Sequence, residues 1–389
     1  MKQTVKIMLV AGEASGDTHA AKLVRAFREL APDTKFEFFG ATGEKMREAG
    51  VETVINSDNL SIVGLPEIAR ALPMFLQVFQ KLKRAAVEKK PDVVILIDFP
   101  DFNLKLAKSL KKRGLKIIYY ISPQLWAWRK YRVRTIKNYV DLVLTILPFE
   151  KDWYSKQGFS KVEYVGSPLA REVKPKISRE EFCAKHNLDN SKPIIALLPG
   201  SRHKEIVRIL PVLLGTAVLM AEKNKELQFV IALASNRKAE EVETAIAEAK
   251  QKGLKLPQTL ISVQGETHEV LNASDVAAVK SGTTTLETAI IGTPFVIVYK
   301  TSAFNWYALR PLISVEHYGL VNLIARERLV KELIQHDFTA ENLSAELFRL
   351  LEPENNKKMR DDLHEVAETL GHGGASKRAA QAILRLLNS

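Results

Sequence analysis

The chain has 389 residues, more than one ordinary domain needs and enough for two with separate cores. Hydrophobic residues make up 46% and charged residues 26%, a balance that excludes wholesale disorder; the single cysteine, Cys183, excludes an intrachain disulfide and fits a reducing compartment. A formal charge of +12 implies an acidic partner (phosphate, nucleic acid or anionic lipid) without choosing among them.

Near the N-terminus, Val5-Lys6-Ile7-Met8-Leu9-Val10 is too short for a signal-peptide core and has no small-residue cleavage site beyond it, so it reads as a buried first strand. No apolar stretch approaches the roughly 20 residues of a spanning helix. The expectation is a cytoplasmic protein that can still lie on a membrane. Short apolar runs then alternate with amphipathic helical stretches, the pattern of a parallel sheet covered by helices. The first set of predicted strands is Lys6–Ala11, Phe36–Gly40, Val93–Phe99, Ile117–Ser122, Leu142–Leu147 and Val162–Gly166. A second set comprises Ile194–Leu198, Phe229–Ala234, Leu260–Val263, Val276–Val279 and Phe295–Tyr299. The turn-rich Gly166–Arg171 separates the sets and predicts a hinge. Two doubly wound, Rossmann-like α/β domains are therefore expected, residues 1–166 and 172–370, facing a central cleft where such sheets bind ligands. Residues 371–389 carry a last helix, Ser376 to Leu387, able to pack back on the first domain.

Ala11-Gly12-Glu13-Ala14-Ser15-Gly16-Asp17 directly follows the first strand, so its glycines can bring backbone close to a ligand at a helix N-terminus. The spacing is not the dinucleotide fingerprint, and Asp17 could equally be a helix cap. Ile97-Asp98-Phe99-Pro100-Asp101-Phe102-Asn103 ends the most apolar strand. A carboxylate there can be desolvated toward the pKa of a useful base, which favours function for Asp98 and a turn role for Asp101. With no Asp-x-Asp, His-Glu-x-x-His or Cys/His cluster, a metal is the weaker reading. Ser122–Arg134 interleaves Trp126 and Trp128 with Arg129, Arg132 and Arg134. It could grip nucleic acid, bind one phosphorylated substrate through arginine forks, or simply bury its tryptophans.

Leu197–Ile206 presents a strand, the turn Pro199-Gly200-Ser201 and a helix starting near Arg202, a cradle suited to a diphosphate. Lys280-Ser281-Gly282-Thr283-Thr284-Thr285-Leu286-Glu287 repeats the theme. Its threonines and amides can take phosphate oxygens and Glu287 can accept from ribose hydroxyls, with a capping box as the plain alternative. Both motifs in one domain favour nucleotide binding. Leu65, Ile68, Leu72, Phe75, Leu76 and Phe79 recur at helical spacing before Lys81, Lys83 and Arg84. Such a stripe is ordinarily core, yet it also suits an interfacial helix on anionic lipid.

Taken together, Gly12–Asp17, Ile97–Asn103, Ser122–Arg129, Leu198–Arg202, Ser281–Glu287 and Val321-Asn322-Leu323 resemble the lipid-A-disaccharide synthases, glycosyltransferase family 19, over nearly the whole chain and in the same order. Val321 departs from the pattern, standing where proline is expected. The resemblance implies a GT-B fold and an inverting transfer of 2,3-diacylglucosamine from its UDP derivative to 2,3-diacylglucosamine 1-phosphate. The implied products are UDP and a β-1,6-linked disaccharide 1-phosphate. It implies Asp98 as base, with Glu13 and Asp17 orienting it or the acceptor, and Ser15, Trp128, Arg129 and Arg132 on the acceptor and its phosphate. Ser201, Arg202, Gly282, Thr283, Thr284, Glu287 and Asn322 would hold the UDP-sugar, with no metal and no other cofactor. The lipid substrates suggest a peripheral protein of the inner membrane's cytoplasmic face, touching it through Leu65, Leu72, Phe75, Leu76 and Phe79. A homo-oligomer is compatible with the sequence; nucleic acid is not expected as a partner. Two rivals stand beside this: a nucleotide-sugar epimerase on the same scaffold, and a basic nucleic-acid-binding protein, whose common recognition motifs are missing.

Overall fold

The computed structural model describes residues 4–58, 65–234, 239–302, 306–307, 316–371 and 373–388, with backbone alone for 65–72. Two compact units divide the chain. The first runs through Pro168 and regains the chain at its C-terminal end; the second is Leu169–Gly371.

The first unit is built on seven parallel strands: β1 Thr4–Ala11, β2 Lys35–Thr42, β3 Glu52–Asn56, β4 Val93–Ile97, β5 Ile117–Tyr120, β6 Leu142–Thr145 and β7 Val162–Tyr164. Their spatial order is β3-β2-β1-β4-β5-β6-β7. All five residues of β4 are buried, because helices cover both faces of the sheet and leave no polar side to alternate with. The strand period of two sorts β1 between two cores. Ile7, Leu9 and Ala11 join one with helix Ala14–Leu30, while Met8 and Val10 join the other with helices Leu65–Lys89 and Pro100–Lys111. The C-terminal helix is Ala375–Asn388, one residue longer at each end than predicted, and its Ala379 and Ile383 share the first core. Arg378 Nε donates to Val165 O at 2.8 Å and Arg385 meets Glu163 at 2.6 Å.

The second unit carries six parallel strands: β8 Ile194–Leu198, β9 Gln228–Leu233, β10 Leu260–Gln264, β11 Val276–Lys280, β12 Phe295–Tyr299 and β13 Glu332–Ile334, in the order β10-β9-β8-β11-β12-β13. Two strands escaped the sequence, β3 and β13. Both are sheet-edge strands of at most five residues, and β3 leaves no residue fully buried, so neither shows an apolar run.

Each sheet reverses its winding once, between β1 and β4 in the first unit and between β8 and β11 in the second. At these switch points the pairings Ala11↔Ile97 and Leu198↔Val279 end neighbouring strands, so the loops that follow start side by side. Open α/β sheets bind ligands there. The Gly12 and Asp98 loops share the first switch point; the Gly200 and Ser281 loops share the second.

Candidate functional site

At the first switch point, a Cβ on Gly12 would stand 2.4 Å from the Phe99 ring, too close for the two loops to pack as they do. Asp98 and Phe99 are consecutive non-glycine residues in the left-handed region, with φ of 47° and 51°. Such a pair costs about 1–2 kcal/mol per residue and needs external support. Asn103 and Tyr119 supply it: Asn103 Nδ2 donates to Ile97 O at 3.2 Å and Asp98 O at 2.8 Å, and the Tyr119 hydroxyl donates to Asp98 O at 2.6 Å. Burial, and after it the charge of Glu13, push the Asp98 carboxyl up to about 6 against the opposing pull of the Phe99 backbone amide. Asp98 and Glu13 are thus electrostatic neighbours.

Asp17 does something else. It is buried inside helix Ala14–Leu30, and its carboxylate accepts the amides of Gly43 at 2.8 Å, Lys45 at 2.7 Å and Met46 at 3.1 Å. It is therefore neither the helix cap, a position Glu13 holds, nor a group free to orient an acceptor; it braces the turn after β2. Ser15 is exposed in the first turn of the same helix.

The aromatic and basic segment splits by residue. Trp126 is buried and donates its indole N–H to Glu150 at 3.1 Å; burial pushes that carboxyl up to about 7. Trp128 is exposed, with the Arg129 guanidinium 4.1 Å from its ring centroid. Arg129 and Arg132 both bind Asp101, the former at 3.0 Å. Two forks converging on one carboxylate can hold a phosphate.

At the second switch point Gly200 turns with φ 109°. Ser201 and Arg202 are exposed just before helix His203–Lys223, and Glu205 Oε2 accepts both their amides, at 3.2 and 3.3 Å. Opposite them, Gly282 and Thr283 precede helix Thr284–Ile291. Thr283 makes no side-chain cap bond, so the plain capping-box alternative fails there. Thr285 Oγ1 donates to Gly282 O at 2.7 Å and closes the turn. Glu287 meets His268 at 3.3 Å, an arrangement that raises the imidazole's pKa and holds the carboxylate in place.

Asn322, like Asp17, is held by partners within its own unit. It is fully buried, donates to Val330 O at 2.7 Å and Glu332 Oε1 at 2.9 Å, and accepts Val330 N at 2.8 Å. Both of its amide hydrogens are engaged within the fold, and Oδ1, which accepts one bond, keeps a second lone pair. Through Glu332, which accepts the amides of Tyr318 and Gly319 at 3.0 and 2.8 Å, it fixes the approach to helix Leu320–Ala325. Val321 is the second residue of that helix, where valine and proline both fit.

The predicted lipid stripe lies on helix Leu65–Lys89. The side chains of Leu65 and Leu72 fall outside the described residues. Phe75 and Phe79 are half-buried and pack on Phe102, with Phe75 also 6.2 Å from Phe99, so both are partly core. Leu76 is 57% exposed.

Sequence reading missed Asn103, Tyr119, Glu205, Lys280 and Glu332 as individual residues of these sites. Their roles arise from tertiary partners; only Asn103, Glu205 and Lys280 sat within motifs that had drawn attention.

Fold and sites together define a GT-B-type protein with two switch-point loop pairs. Solved structures agree on the fold: the UDP-GlcNAc 2-epimerase of Neisseria meningitidis bound to UDP-GlcNAc has a TM-score of 0.63 at 14% identity, covering 98% of this chain and 99% of that one. Sucrose-phosphate synthase of Thermosynechococcus elongatus gives 0.61 at 14% identity, covering 99% of both. Sequence is narrower. Residues 7–386 match the lipid-A-disaccharide synthetase family. The lipid-A-disaccharide synthase of Trichlorobacter lovleyi is 42% identical over 98% of this chain and 97% of its own length, and that of Myxococcus xanthus 42% identical over 100% and 99%. The chain belongs to the lipid-A-disaccharide synthase family.

Because three backbone amides depend on Asp17, Asp17→Asn should lose about 1–3 kcal/mol of stability, read as a lower thermal midpoint, with turnover per folded molecule retained. An unchanged midpoint with a collapsed kcat would return Asp17 to the chemistry.

Proposed function

We propose that the protein transfers 2,3-diacylglucosamine from its UDP derivative to the 6-hydroxyl of 2,3-diacylglucosamine 1-phosphate, releasing UDP and a β-1,6-linked disaccharide 1-phosphate. The observation that carries this reading is Asp98, a desolvated carboxyl at the first switch point of a chain matching this family from end to end. The Neisseria meningitidis epimerase that shares this fold is 14% identical and lends the fold alone.

The acceptor belongs to the first unit and the donor to the second. Asp98 takes the acceptor's hydroxyl proton as that oxygen attacks the anomeric carbon from the face opposite UDP. The new carbon–oxygen bond forms while the bond to the diphosphate breaks, and the electron pair leaves with UDP, which inverts the anomeric centre. Glu13 keeps the Asp98 carboxyl basic enough for the transfer. Arg129 and Arg132, which Asp101 holds together, take the acceptor's phosphate beside Trp128 and Ser15. Arg202, the amide of Gly282 and the hydroxyls of Ser201, Thr283 and Thr284 neutralise the leaving diphosphate, a task other transferases give to a metal. Glu287, held by His268, accepts from the ribose.

The base must be ionised to work. With its pKa raised to about 6, kcat/KM should rise with pH up to about 6 and flatten above it. Asp98→Asn should keep UDP affinity by calorimetry, lose about 10²–10⁴-fold in turnover and lose that acid limb. Near-normal turnover in the variant would remove Asp98 as the base.

Acylated substrates call for a membrane-side protein. No helix among the described residues is long and apolar enough to cross a membrane. Peripheral attachment to the anionic inner leaflet on the cytoplasmic side fits exposed Leu76, with Phe75 and Phe79 beside it and Lys81, Lys83 and Arg84 following. Leu76→Ser touches no described aromatic pair, so it should fold normally yet sediment several-fold less with anionic vesicles. Undiminished sedimentation would contradict the proposed contact.

A further inference from the structure

Lys280 is the last residue of β11 and so stands at the second switch point, where its side chain is only 16% exposed; that of Arg202, the cation the sequence made prominent, is 71% exposed. A cation so buried needs a partner. It has one in Glu205, whose Oε1 lies 2.8 Å from the ammonium. The same carboxylate turns its other oxygen to the Ser201 and Arg202 amides at 3.2 and 3.3 Å. These stand at the long end of ordinary N–H···O bonds, which measure about 2.7–3.2 Å. The surrounding glycines admit this pair. A Cβ on Gly200 would stand 2.5 Å from Glu205 Oε2 and 3.3 Å from Lys280 Cδ, and one on Gly282 would stand 3.6 Å from the Lys280 ammonium. The ammonium is therefore within reach of both phosphate loops.

We propose that Lys280 binds the donor's diphosphate directly, and that Glu205 is an internal anion that occupies the loop amides and balances Lys280 until the donor arrives. This rests on the donor reading given above. A diphosphate and the Glu205 carboxylate compete for the same two amides, and their like charges repel at that range. The diphosphate brings more charge and more acceptor oxygens. It takes the amides and the ammonium, and Glu205 gives them up. After transfer Glu205 reclaims them as UDP departs. Donor affinity is thus set by a difference: Lys280 strengthens it and Glu205 weakens it.

The test is calorimetric titration of the full-length protein with UDP and, separately, with uridine, which lacks the diphosphate. Lys280→Met should weaken UDP about 10- to 100-fold while leaving uridine unchanged, and Lys280→Arg, which keeps the charge, should recover most of the loss. Glu205→Gln preserves shape but removes the competing charge, so UDP should bind several-fold more tightly and uridine no differently. A merely structural brace behaves otherwise: Glu205→Gln would then weaken UDP and uridine alike. That result, or UDP affinity indifferent to Lys280→Met, would overturn the proposal while leaving the donor site in place. Failure of the unmodified protein to bind UDP would overturn the donor reading, and this inference with it.

Discussion

Two strand seams govern the molecule, β1 against β4 and β8 against β11. Each is a ladder between strands buried on both faces, and each is the place where its sheet changes winding direction. A one-residue slip in either seam would exchange the two cores, carrying Ile7, Leu9 and Ala11 to the side of Met8 and Val10. Hydrophobic burial thus fixes the register, and the register fixes which loop residues begin side by side. The chemistry is downstream of that constraint. Asp98 sits one residue beyond the pairing Ala11↔Ile97, and the Gly200 and Ser281 loops begin just beyond Leu198↔Val279.

How far the sequence showed this follows from the physics of each element. Val93–Ile97 and Ile194–Leu198 were legible because strands covered on both faces must be apolar throughout. Glu52–Asn56 and Glu332–Ile334 were not, because short edge strands carry no such pattern. The place of Asp98 directly after an apolar strand was legible. Asp17 and Asn322 were legible as polar residues in telling places but not as braces, since their partners lie 26 to 29 residues away for Asp17 and 8 to 10 for Asn322. Nothing local to Asn103 or Tyr119 shows that both hold the carbonyl of Asp98.

The carboxylates show how environment assigns work to one chemical group. Asp98 is desolvated beside another acid and is pushed up toward a base's useful range. Asp101, three residues on, is exposed and holds two guanidiniums. Glu150 is buried against an indole, Asp17 is given to backbone amides, and Glu205 joins a lysine to a loop. Composition counts them as equals; position and partners set them apart.

The central claim is that two substrates meet and one sugar moves. UDP-2,3-diacylglucosamine is mixed with the protein in detergent and EDTA, with and without 2,3-diacylglucosamine 1-phosphate, while UDP release is followed. Release that depends on the acceptor, with a product of the disaccharide's mass, is the predicted result. Release without the acceptor, or none in its presence, would contradict the account.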